Sequence, residues 1–342
     1  MHIGVMGAGA IGGYLGGRLA AAGHQVTLVG RADFGAALAA EGMHLTGLGA
    51  APVLLPLSDT LRYTADPTAL ADCEAVLVCV KGRDTANAGT TLAGVLPPGV
   101  VVVSGQNGLR NPDILRRTVP GAIVLAGMVS FNVIRQGAAL IQTTSGPVVI
   151  GQHDGAEAPL LAALRSTGLP CSAHADMPGI LWGKLQFNLN NAINALSGLP
   201  LREQLSDRDF RRLLAAVMRE GLAAQRAASI TPRRLGKMLP RIAPLILPLP
   251  DGLFFRVSGA MLQIDPSARS SMWSDLTRRK TTEIDDLNGE IVTLGRAHGV
   301  STPLNVRIVS LIKAAEAAGA GSPGLTAAEI AGVEPASTSP PR

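Results

Sequence analysis

Ile3-Gly4-Val5-Met6 runs into Gly7-Ala8-Gly9-Ala10-Ile11-Gly12 and then into a helix-like stretch over 14–22, and this order sets the reading of the chain. Strand, Gly-x-Gly-x-x-Gly turn, helix is the context in which the spacing means dinucleotide binding. The glycines allow a tight turn and a close approach of backbone to a pyrophosphate, which lies against a helix start whose free N–H groups and dipole favour an anion. The competing reading is a glycine-rich turn that packs a helix onto a strand. A second strand at Gln25–Val29 completes a βαβ pattern and favours binding, with Gly7, Ala8, Gly9, Ala10, Ile11 and Gly12 as the expected cofactor contacts.

The residues after the second strand refine the cofactor. An NAD site places an Asp or Glu there to accept from the ribose 2′-hydroxyl; this chain has Gly30-Arg31, with Arg31 nineteen residues past Gly12. Arginine cannot accept a hydrogen bond, and its fork matches a phosphate. NADP is the expected cofactor, Asp33 keeps NAD as the alternative, and a merely solvated Arg31 is the bland reading.

A chain of 342 residues is long for one core and comfortable for two domains. Aromatics make up only 3%, so the core must be built from Ala, Leu, Val and Ile. The net charge of +5 comes with arginines such as Arg202, Arg208, Arg211, Arg212, Arg219 and Arg226 interleaved with Glu203, Asp207, Asp209 and Glu220, which reads as solvated helix surface. Phe210 alone interleaves with them, which argues against a nucleic-acid partner. Cys73, Cys79 and Cys171 form neither a disulfide framework nor a metal set, and the six histidines show no ligand spacing, so no metal is expected. The N-terminus lacks a basic leader and has seven glycines before Arg18; the apolar stretch 242–264 is broken by Pro244, Pro248, Pro250, Asp251 and Arg256. Neither reads as a signal peptide or membrane span, so a cytoplasmic chain is expected. The stretch 231–265 reads as a buried or lid-like insertion.

Strand-like runs at 75–80 and 100–104, with helical segments at 84–95 and 111–118, continue the alternation of a doubly wound parallel sheet. Runs at 122–130, 138–142 and 147–150 read as later strands, the last two as a hairpin. From 176 the patterns are helical: 182–196, 207–229, 281–298 and 305–318. The expected fold is α/β: a Rossmann-like dinucleotide-binding domain over 1–175, an all-helical substrate domain over 176–332, and a Pro/Ser-rich disordered tail over 333–342.

Polar residues gather where the strands end. Lys81 follows one strand and Asn107, in Gln106-Asn107-Gly108, follows the next, where ligands of open α/β sheets lie. In the helical half, Lys184 and Asn188 are four apart and share a face, with Asn191 and Asn194 continuing near it. Such a face is costly to bury unless it binds something polar; interhelical hydrogen bonding explains it equally well. Glu283 borders the apolar stripe Ile284, Leu287, Ile291 and Leu294 of a helix expected to open at 281.

Taken together, GAGAIGG at 7–13, Val80-Lys81, Gln106-Asn107-Gly108, Trp182-Gly183-Lys184-Leu185 with Asn188, Ser270-Ser271-Met272, and Thr282-Glu283-Ile284-Asp285 with Asn288-Gly289 resemble the ketopantoate reductase (2-dehydropantoate 2-reductase) family in order and spacing. The resemblance implies an NADPH-dependent oxidoreductase that reduces a small anionic 2-oxo acid, 2-dehydropantoate, in pantothenate and coenzyme A biosynthesis. It implies Lys184 as the general acid, Glu283 as the holder of substrate hydroxyls, and Asn107, Asn188 and Ser271 as orienting residues, with Lys81 and Arg31 on the cofactor. The family commonly carries a further substrate asparagine at position 192, which here is Ala; Asn190, Asn191 and Asn194 flank it. A reductase of another 2-oxo acid and a non-catalytic NADP-binding redox sensor are the alternatives. The sequence leaves a homodimer open.

Overall fold

The computed structural model describes residues 1–48, 50–235, 239–259 and 268–333. The chain divides into two compact units, Met1–Pro178 and Gly179–Arg342.

The first unit runs β1 His2–Met6, α1 Ala10–Ala21, β2 Gln25–Val29, α2 Ala32–Glu41, β3 Met43–Gly47, β4 Ala50–Leu55, β5 Leu61–Thr64, β6 Ala75–Val78, α3 Thr85–Ala93, β7 Val101–Ser104, α4 Asn111–Thr118, β8 Ile123–Val129, β9 Val133–Gln136, β10 Ala139–Gln142, β11 Val148–Gly151, α5 Ala158–Ser166 and β12 Cys171–His174. Eight strands form one sheet in the order β12-β11-β8-β7-β6-β1-β2-β5. From β5 to β8 all neighbours are parallel; β11 turns antiparallel on β8, and β12 follows parallel to it. The side-chain period of two divides the central strands between two cores: Ala75 and Leu77 join Ile3, Val5, Leu19 and Leu28 on one face, while Val76 and Val78 join Leu92, Val102 and Leu115 on the other. Both faces are covered, which is why these strands read as unbroken apolar runs.

A second sheet, in the order β4-β3-β10-β9, was not legible in the hydrophobic pattern beyond the run that forms β10. It corrects the expected hairpin at 138–150. β10 pairs instead with β9 through the two-residue turn Gly137-Ala138, in which Gly137 has φ +57°, and with β3 on its other side. β11 leaves for the large sheet.

The second unit is all-helical among the described residues. Its helices are α6 Met177–Asn188, which begins at the unit boundary, α7 Asn190–Ser197, α8 Leu201–Ser206, α9 Arg208–Ala227, α10 Ala243–Ile246, α11 Asp251–Ser258, α12 Ser271–Thr277, α13 Asn288–Ala297, α14 Pro303–Ala318 and α15 Ala327–Ala331. α9 starts where the Asp207 side chain accepts from the Asp209 N–H, and it buries Phe210, Leu213, Leu214, Val217 and Met218. This is the apolar stripe of an amphipathic helix. The expected 182–196 helix is two, broken at Leu189, and the 281–298 helix begins only at Asn288; 283–287 are bends and turns.

Arg211 corrects the reading of α9's arginines as solvated. It is 0% exposed. Its guanidinium donates to the carbonyls of Leu205, Ser206, Leu247 and Leu249, pairs with Asp251 at 2.5 Å, and lies 4.2 Å from the Phe254 ring centre. Five donors in a rigid fork satisfy carbonyls that a loop would otherwise leave bare. The described part of the 231–265 stretch is therefore fastened to α9, and it is only partly buried: Leu235, Pro244, Phe254 and Ser258 are buried, while Leu239, Ile242, Leu245, Leu253 and Val257 are exposed. The rest of that stretch, and 334–342 of the expected tail, lie outside the described residues.

Candidate functional site

In the first unit β1 stands between β2, which follows it, and β6, so the connections diverge at its carboxyl end. That divergence opens the crevice in which α/β sheets bind ligands. The glycine turn sits there. Gly7 adopts φ +100°, and its N–H and that of Ala8 both donate to the Val29 carbonyl, at 3.0 and 2.8 Å. A side chain on Gly12 would run into the Gly7 carbonyl oxygen and Cys79, so α1 can lie this close to β1 and β6 only with glycine there. At Gly9 a Cβ would meet nothing within 4 Å. Gly9 also caps α1 without a side-chain hydrogen bond, and α1 has no acid in its first turn, where Ala10 and Ile11 stand half-buried. One glycine makes the turn, one admits the helix, and one leaves open space in front of uncapped N–H groups. These residues fit a pyrophosphate.

Lys81 and Asn107 are half-buried beyond the ends of β6 and β7. A buried polar chain fixes the second of these loops: Ser104 Oγ donates to Gln106 Oε1 (3.0 Å), Gln106 Nε2 to Thr85 Oγ1 (2.6 Å), Thr85 Oγ1 to Asn111 Oδ1 (2.7 Å), and Asn111 Nδ2 to the Asn107 carbonyl (2.6 Å). Gln106 is thus a support for Asn107, a role its place in a motif did not reveal.

Arg31 caps α2, is exposed, and accepts from the Tyr63 hydroxyl through its carbonyl at 2.8 Å. Asp33, the NAD alternative, is paired with Arg135 at 2.9 Å, and the guanidinium beside it holds its carboxyl below the usual range.

In the second unit Lys184 is half-buried on α6. Burial pulls its ammonium down from 10.5 to about 8, and the neighbouring Glu283 charge resists that fall. Desolvation outweighs that attraction, yet at about 8 the group is still mostly cationic at neutral pH. Gln186 orients the helix. It is fully buried, and with its amide turned so that both atoms are satisfied it donates to the Met218 carbonyl (3.2 Å) and accepts from the Leu222 N–H (3.2 Å) and from Gln225 Nε2 (3.0 Å). Residues two apart lie on nearly opposite sides of a helix, so pinning Gln186 against α9 turns Lys184 away from it.

Of the asparagines, Asn188 and Asn191 are half-buried. Asn194 is 0% exposed and fully engaged: Nδ2 donates to the Leu199 carbonyl (2.9 Å) and to Gln204 (3.0 Å), and Oδ1 accepts from the Ser270 N–H (2.8 Å). Asn190 is likewise bound to Gln204 at 2.7 Å. Both amides are committed within the fold, so Asn194 is removed from the substrate set. Ser270 caps α12 at the Trp273 N–H (3.1 Å) and donates to the Asn191 carbonyl (2.9 Å), which seats exposed Ser271 beside Asn191. Glu283 lies in the turn before α13, not in a helix. Among the described residues no cluster of three or more His, Cys, Asp or Glu could hold a metal, and no helix is long and apolar enough to cross a membrane.

Known proteins resemble the chain along nearly its whole length. Residues 3–155 match the family described as Ketopantoate reductase PanE/ApbA, and 176–316 match its C-terminal domain. A 2-dehydropantoate 2-reductase of Halobacterium salinarum is 27% identical over 328 residues, covering 92% of this chain and 99% of the relative. The crystal structure of a PanE/ApbA family ketopantoate reductase from Ralstonia eutropha JMP134 superposes with a TM-score of 0.78 at 30% identity, covering 93% of this chain and 99% of that one. A D-mandelate dehydrogenase bound to NADH and anilino(oxo)acetate shares the fold at TM-score 0.75 and 20% identity, covering 93% of this chain and 99% of that one. On these matches and the glycine turn they include, the chain belongs to the ketopantoate reductase PanE/ApbA family, a family of oxidoreductases.

Proposed function

We propose that this chain reduces 2-dehydropantoate to pantoate with NADPH, with Lys184 as the general acid. The observation that carries the reading is the Lys184 ammonium, drawn to about 8 by burial while Glu283 keeps a negative charge near it. A group in that range is cationic near neutral pH yet gives up its proton more readily than an ordinary lysine. NADPH, which the glycine turn Gly7–Gly12 would hold, would supply the hydride for the carbonyl carbon. Lys184 donates a proton to the carbonyl oxygen as negative charge develops there, so the product is the alcohol, and the neutral amine recovers its proton from solvent. Glu283, accepting from the substrate's hydroxyl, and Asn188, Asn191, Asn107 and Ser271 orient the substrate. Lys81, like Arg31, serves the cofactor.

A steady-state assay of NADPH oxidation against a panel of 2-oxo acids tests this. Ketopantoate should turn over with kcat/KM of ~10⁴ M⁻¹s⁻¹ or more. Efficient turnover of another acid with ketopantoate inert would keep the chemistry and move the substrate. Glu283→Ala should raise KM as well as lower kcat, because it acts through substrate orientation.

A further inference from the structure

The nucleotide end of the first unit carries a residue that no motif marks. Arg135 lies on β9, in the small sheet, more than a hundred positions from the glycine turn. Its Nη2 binds Asp33 Oδ2 at 2.9 Å, and its guanidinium carbon stands 4.8 Å from the centre of the buried Phe34 ring. Phe34 meets Tyr63 edge-on at 5.7 Å, and the Tyr63 hydroxyl donates to the Arg31 carbonyl. Contacts therefore run unbroken from Arg135 through Phe34 and Tyr63 to Arg31. Asp33 is the first carboxylate after β2, where a free carboxylate would accept from a ribose 2′-hydroxyl and repel a 2′-phosphate.

We infer that Arg135 sets the choice of cofactor by occupying the Asp33 carboxylate, so that a nucleotide bearing a 2′-phosphate is taken in preference to one bearing a 2′-hydroxyl. The inference rests on the NADP reading proposed above. With Arg135 in place, two arginines face one carboxylate and one net positive charge remains for the phosphate. Without it the charge cancels, and Asp33 is released to accept from a hydroxyl. Arg135 need not touch the nucleotide; it positions and neutralises Asp33. Geometry supports that effect, since stacking on Phe34 holds the guanidinium where Asp33 can be engaged.

Calorimetric titration of the full chain with NADP⁺ and with NAD⁺ separates the cases. The wild type should favour NADP⁺. Arg135→Ala should lower that preference roughly threefold to tenfold, the scale of a partly exposed charge interaction, by weakening NADP⁺ and leaving NAD⁺ unchanged or tighter. Arg135→Lys should keep most of the preference, and Asp33→Asn added to Arg135→Ala should restore it, because nothing is left to neutralise. Equal weakening of both nucleotides in Arg135→Ala, or no recovery in the double variant, overturns the inference while the NADP reading stands. A wild type that binds NAD⁺ as tightly as NADP⁺ overturns both.

Discussion

The two units build their sites from different material. In the first, the glycine turn works through backbone: a φ of +100° at Gly7, open space at Gly9, and a helix brought close at Gly12. In the second, the proposed chemistry rests on side chains held half-buried, with Lys184 moved to about 8 by its surroundings. Backbone sites are tolerant of what surrounds them and intolerant of a single Cβ. Side-chain sites depend on the packing that sets their charge, and a substitution there alters a rate before it alters a fold.

Changing the side chain alone should have the largest effect. Lys184→Ala should lower kcat by 10² to 10⁴, about 3–5 kcal/mol in the barrier, with NADPH affinity measured by fluorescence titration nearly intact. Near-native turnover would remove the lysine from the chemistry. Where Lys184 remains, its ionisation predicts that kcat/KM falls as pH rises through about 8.

Two alanine substitutions three residues apart sharpen the backbone side. Gly12→Ala places a methyl against the Gly7 carbonyl and Cys79, and should cost about 1–3 kcal/mol of stability by thermal unfolding. Gly9→Ala meets nothing, so its melting temperature should stay put while cofactor binding weakens. If both behave alike, the turn is only packing.

The same lysine also carries a stability signature. Its folded pKa lies below the ordinary 10.5, so the charged form is disfavoured by folding; the penalty is fully present below about 8 and is relieved as pH rises toward 10.5. Lys184→Met should therefore be more stable than wild type by about 1–3 kcal/mol in urea at pH 7, and that advantage should shrink above pH 8. A constant advantage across pH would mean that packing, not charge, was relieved.

The smallest effect is expected at the surface. Arg31→Ala should weaken NADPH binding by about 1 kcal/mol, the scale of an exposed charge contact, and NADH by much less. Equal loss would return Arg31 to the solvated reading.

What the sequence disclosed follows the same division. The strands β1, β2, β6 and β7 and the glycine turn were legible because unbroken apolar runs and turn glycines are local signals. β3, β4 and β9 were not, being short, and Ala139–Gln142, though legible as a strand, pairs with the unread β9 and with β3 nearly a hundred positions away rather than with the next run. Lys184 and Glu283 could be nominated by resemblance, but nothing in their spacing revealed that burial would govern the lysine. Spacing also placed Asn194 among ligands, when Gln204 and the Ser270 backbone had already claimed it. Arg211 misled most, because flanking charges make a buried arginine look like a surface one.

Arg211 also has a bearing on the order of synthesis. The carbonyls of Leu247 and Leu249 and the Asp251 carboxylate lie 36 to 40 residues beyond it in the chain. When α9 emerges from the ribosome, its guanidinium has only the Leu205 and Ser206 carbonyls nearby, and the remaining donors must stay in water until the later segment arrives. Closing this contact is therefore a late event that cannot precede synthesis of Asp251. A nascent chain arrested before residue 247 carries a solvated cation where the finished fold buries one.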